Sequence, residues 1–81
     1  MAERDPRFDP QPGDVLIWND LHKTTREVIG RHVIRNRGVR AWISVDYILT
    51  MDGIPATTST SLAYWRNWAR DATVVRRKEE G

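Results

Sequence analysis

The side chains with most chemistry to offer sit in the middle of the chain. Between Leu21 and Val45 there are six basic residues, Lys23, Arg26, Arg31, Arg35, Arg37 and Arg40, against one acid, Glu27. Arginine outnumbers lysine eleven to two over the chain. A guanidinium forks onto phosphate or carboxylate and stacks on rings, where an ammonium acts as a point charge. Trp42 follows Arg40 by two residues. A ring among arginines suits a single-stranded nucleic-acid platform, with phosphates on Arg and a base stacked on Trp. If the N-terminal arm or a helix covered Trp42, it would form a second small core instead. Arg66, Arg70, Arg76, Arg77 and Lys78 form a later basic group. Arg66 and Arg70, four apart, share a helix face. That group reads as solvated surface, or as an extension of a phosphate track if it adjoins the first.

Catalytic chemistry finds less to work with. The two histidines, His22 and His32, are ten residues apart and lie in no metal-ligand spacing. With no cysteine, disulfides and thiolate metal sites are excluded. Asp46 and Asp52 could pair across a turn, but Asp52 belongs to an Asp-Gly turn and Asp46 to the polar face of a strand. The run Thr57-Thr58-Ser59-Thr60-Ser61 has no nucleophile elbow around it. A glycine-rich phosphate loop is missing as well. The sequence therefore reads as non-enzymatic, with no catalytic, cofactor or metal residue expected.

Small elements must position these groups, because 81 residues make one thin-cored domain. Pro6, Pro10 and Pro12 make residues 1–12 an extended arm, with Phe8 as the side chain that pins it. Pro12-Gly13-Asp14 is a turn signal before a short strand, Val15 to Trp18. Thr24 to Arg35 is a second strand whose alternation slips near Gly30, predicting a bulge or bend. Asn36-Arg37-Gly38 predicts a hairpin turn. Val39 to Leu49 then alternates cleanly, with Val39, Ala41, Ile43, Val45, Tyr47 and Leu49 on the inner face. Asp52-Gly53 marks a tight turn and 56–59 a weak strand. Ser61 caps a helix, Leu62 to Arg70, with Leu62, Trp65 and Ala69 on one stripe and Trp68 beside it. Thr73 to Arg77 is the last strand. The longest apolar run, Val15-Leu16-Ile17-Trp18, is far too short for a signal peptide core or a membrane span.

The order of five strands, with a short helix before the last, is similar to SH3-like small barrels. It predicts a mainly β, five-stranded barrel over residues 13–78, with an arm at 1–12 and a charged tail at 79–81. The segments DPRFDPQPGDVL (residues 5–16) and WRNWARDATVVRR (residues 65–77) resemble a group of small bacterial and phage proteins. That resemblance covers both ends and leaves 18–60 open. It implies a compact stand-alone module, resident in the cytoplasm or the host cytoplasm, and brings no catalytic motif. The expected function is a binding module for nucleic acid or a host protein, with no membrane partner. Its expected contact residues are Lys23, Arg31, Arg35, Arg37, Arg40, Trp42, Arg66 and Arg70. The alternative is a phage-type modulator that occupies a host factor. An accessory subunit that docks its arm on a neighbour is a third reading.

Overall fold

The computed structural model describes residues 4–35, 38 and 40–78. The element order is β1 (Val15–Ile17), β2 (Thr25–Ile34), β3 (Trp42–Met51), β4 (Ile54–Ser61), α1 (Leu62–Ala69) and β5 (Thr73–Arg76). The strands form one antiparallel sheet in the order β4-β3-β2-β1-β5. β4 and β5 lie at its two ends and do not pair, so the sheet is not closed into the barrel the sequence predicts. The reason is local. β1 has only three residues and β5 only four, too little strand to curl the far edge around to β4.

β2 and β3 are the long elements, ten residues each. Their register shifts between Val28 and Gly30, the bulge expected near Gly30. The shift puts Arg31, rather than its neighbours, opposite Val45 on the inner face. Asp52 and Gly53, with φ of 53° and 79°, turn β3 into β4. Two successive positive φ values are the mark of the tight hairpin turn that suits twisted strands. β4 runs eight residues, longer than the weak strand expected at 56–59. It is mostly exposed, and Pro55 is tolerated because β4 is an edge strand.

Leu16, Val28, Val45 and Tyr47 supply the sheet side of the core, and Trp65, Ala69 and Ala72 close it from α1 and the following turn. Ser61 caps α1, its hydroxyl accepting from the Tyr64 N–H at 3.2 Å. The N-terminal segment completes this layer. It coils rather than extends, the N–H groups of Phe8 and Asp9 both donating to the Asp5 carbonyl. Pro6 and Pro10 are fully buried, while Phe8 is 56% exposed. The prolines, not Phe8, fasten the arm. Trp65 Nε1 donates to the Pro6 carbonyl at 3.1 Å and Arg66 Nε to the Phe8 carbonyl at 2.8 Å.

Asp14 ties arm, sheet and tail together. It is completely buried. Arg4 grips both of its oxygens, and the N–H groups of Gln11 and Lys78 donate to it at 2.8 and 2.7 Å. Burial pushes its pKa up, but these hydrogen bonds and the Arg4 charge outweigh that and hold it below the ordinary carboxylate value.

Candidate functional site

The structure divides the expected contact residues among three places. Arg35 and Arg40 stand exposed at the tip of the β2–β3 hairpin. Trp42, 40% exposed, pairs with Ile34 at the base of that tip. It lies on the sheet face opposite Val45 and Tyr47, so neither α1 nor the arm covers it. Among the described residues no acid pairs with Arg35 or Arg40. Arg37 lies outside the described residues.

Arg31 and Arg66 work within the fold. Arg31 Nη1 donates to Asp9 Oδ1 at 2.6 Å and to the Pro10 carbonyl at 3.0 Å, while Arg66 holds the Phe8 carbonyl. Both are arm clamps. Lys23 and Arg70 are at the far end. Lys23 has a positive φ of 48° in the β1–β2 connection, closed by Trp18 N–H donating to the Thr24 carbonyl. The length of β2 separates this end from the hairpin tip by about 30 Å at 3.3 Å per residue. One continuous phosphate track through all eight residues is therefore not assembled.

The far end holds a site centred on Arg26. Its guanidinium lies 4.1 Å from the Trp68 ring centre, 4.4 Å from Tyr47 and 5.7 Å from Trp65. These are cation–π distances. Trp18 stacks on Trp68 at 5.7 Å with planes 6° apart, and Trp18 Nε1 donates to the Trp68 carbonyl at 2.9 Å. Arg26 Nε is buried without a hydrogen-bond partner. No carboxylate pairs with Arg26 among the described residues. Burial lowers its pKa, with Tyr47 opposing the shift, and an arginine stays charged regardless. A cleft of about 460 Å³ opens beside it, walled by Trp18, Tyr64 and Trp68 and bordered by Arg70 and Asp71. Arg26 belongs to the basic stretch of the sequence but lies outside the expected contact residues. Its signal is its parity with Val28, which puts a charge on the inward face of β2.

A polar chain lies on the opposite face. His32 Nδ1 is 3.1 Å from Asp46 Oδ2, and Ser59 Oγ donates to Asp46 Oδ1 at 2.6 Å. Gly30 leaves room for it, since a Cβ there would stand 3.3 Å from Asp46 Oδ2. The sequence of groups matters. An acyl-transfer relay needs the imidazole between hydroxyl and carboxylate. Here the carboxylate is in the middle, so the Ser59 proton faces a weak base and the arrangement cross-braces β2, β3 and β4. No cluster of three potential metal ligands occurs among the described residues, and no helix there is long and apolar enough to cross a membrane. Comparison with family models, with curated proteins and with solved structures finds no match for the chain.

Proposed function

We propose that this protein is a small non-enzymatic binding module that takes nucleic acid on the tip of its β2–β3 hairpin. The observation that carries this reading is that Arg35 and Arg40, exposed and without acidic partners among the described residues, flank the Ile34–Trp42 pair at the hairpin end, where Trp42 is half-exposed. Arginine forks meet phosphates there, and the indole offers a stacking face for a base. Arg37 joins them by its place in the sequence. The strand order, with α1 between β4 and β5, supports kinship with SH3-like small barrels. The two terminal segments support the kinship with small bacterial and phage proteins, and with it residence in a bacterial cytoplasm.

Titration of a labelled single-stranded oligonucleotide, followed by anisotropy at several salt concentrations, tests the reading. About three phosphate contacts give a log–log salt slope near −2 for single strands and about −2.7 for duplex. Changing Arg35, Arg37 and Arg40 together to Ala abolishes the binding. Trp42→Ala weakens single-strand binding by about 1–3 kcal/mol and duplex binding less. Absence of binding at low salt overturns the proposal. A host protein is the second reading, favoured by Val33 and Trp42, 51% and 40% exposed near the same tip. It requires capture of one defined protein at physiological salt, with Trp42 as a hot spot.

A further inference from the structure

We propose that the cleft beside Arg26 is an anion site in which Arg26 and Arg70 hold a single carboxylate or phosphate-ester group of a small organic ligand. It is independent of the hairpin tip and lies at the other end of β2.

Three observations converge on it. Arg26 is held by ring faces alone. The rings lie at cation–π distance from its Cζ, and a ring face accepts no conventional N–H hydrogen bond from it. No acceptor meets the guanidinium among the described residues: Nε is buried without a partner, and the remaining N–H groups of this half-buried side chain are the ones that can serve the cleft that Arg26 lines. Natural proteins rarely bury a charge without a hydrogen-bonding partner. Second, Arg70 borders the same open cleft, so it carries two positive charges, one half-buried at Arg26 and one exposed at Arg70. Third, the cleft is walled by Trp18, Tyr64 and Trp68, which give an organic body apolar contact, and its volume lies in the range of small-molecule pockets.

Asp71 sets the charge of the ligand. It borders the cleft with Arg26 and Arg70, leaving a net charge of one positive unit. A carboxylate carries one negative unit and matches this, a phosphate monoester carries about 1.5–2 near pH 7 and exceeds it by up to one unit, and a polyphosphate exceeds it far more. The first two are planar or forked oxyanion acceptors that arginine reads in the same way.

The intrinsic tryptophan fluorescence of the full chain gives the test, because Trp18 and Trp68 form the wall. Benzoate and phenyl phosphate are titrated at low salt, with benzyl alcohol as the neutral counterpart. Saturable binding with a Kd between about 0.1 and 10 mM is expected for at least one of the two anions and not for the alcohol. Preference between them identifies carboxylate or phosphate as the natural group. Arg70→Ala weakens binding by about fivefold, and Asp71→Asn tightens it by about twofold. Arg26→Met abolishes it. Arg70 and Asp71 are exposed, so their variants test the site even if Arg26→Met unfolds the chain. The proposal is overturned if neither anion saturates, if benzyl alcohol binds as well as the anions, or if Arg70→Ala and Asp71→Asn leave the affinity unchanged. Replacing Arg35, Arg37 and Arg40 by Ala leaves anion binding intact, so this site and the hairpin reading stand or fall separately.

Discussion

Asp14 and Arg26 are charges that the fold draws inward, and it treats them in opposite ways. Asp14 receives a bidentate arginine and two backbone N–H groups. Asp14→Ala leaves Arg4 and two N–H groups without their acceptor, a loss of about 3–5 kcal/mol, measurable as a fall in the urea midpoint. The pH dependence follows from the lowered pKa. The Asp14 contribution is fully present above the unfolded-state value of about 3.9 and disappears as pH falls through the lower folded-state value. Stability therefore drops below about pH 4 in the parent chain, and Asp14→Ala shows a smaller drop over the same interval. Arg26 is held by rings rather than by acids. Each ring contact contributes about 0.5–2 kcal/mol, and burying the charge opposes that by a comparable amount. Replacing it with the apolar, similarly long Met is expected to change stability by less than about 1 kcal/mol. Calorimetric melting of Arg26→Met checks this. A large loss would mean that the charge itself holds Trp68 and Tyr47 in place.

The tight Asp52-Gly53 turn fixes how β4 meets β3, and a substitution there isolates backbone strain from packing. Gly53 has a φ of 79° and nothing within 4 Å of where a Cβ would be. Gly53→Ala therefore costs only the left-handed backbone penalty, about 1–2 kcal/mol, and lowers the urea midpoint by about 1 M or more. The same change at Gly30 would act differently, by crowding Asp46 away from His32. Local signals of this kind made much of the fold legible. The Asp-Gly turn, the alternation of β3, the Ser61 cap and the Leu62–Trp65–Ala69 stripe each follow from one dominant preference, although β3 begins at Trp42 rather than Val39, with Ala41 exposed outside it and Val39 outside the described residues. What was not legible depends on contacts across the chain. Phe8 is the largest apolar residue of the arm, yet Pro6 and Pro10 are buried and Phe8 is not, because Trp65 Nε1 and Arg66 Nε take the backbone carbonyls on either side. β4 is longer than its composition suggests because pairing with β3 carries Ser and Thr along. Basic residues could be counted, but not which would be consumed by the arm. Barrel closure depends on whether the two edge strands, β4 and β5, meet, which is a contact across the chain that no local pattern encodes.

At the scale of the whole molecule, the charges are sorted by the arm. The radius of gyration is 13.1 Å, against about 11.7 Å for a compact domain of this length. The excess fits a long β2–β3 hairpin that projects beyond the packed layer of α1 and the arm. The arm brings Asp9 onto Arg31, partway along β2, and so removes one cation from the run that leads to the tip. The Arg31–Asp9 pair is partly exposed and holds little of the stability. Asp9→Asn is thus expected to lower stability by about 0.2–1 kcal/mol and to leave the arm in place through the Trp65 and Arg66 contacts. Its effect on binding is the informative one. Arg31 is four residues from Arg35, about 13 Å along an extended strand, roughly the span of two nucleotides. If a single strand runs from the tip down β2, releasing Arg31 adds one phosphate contact and steepens the salt slope by about 0.7. An unchanged slope would confine the bound strand to the tip and its Trp42 face, opposite the face on which Arg31 lies. The same titration therefore reads both the strength of the hairpin site and the direction in which its ligand leaves it.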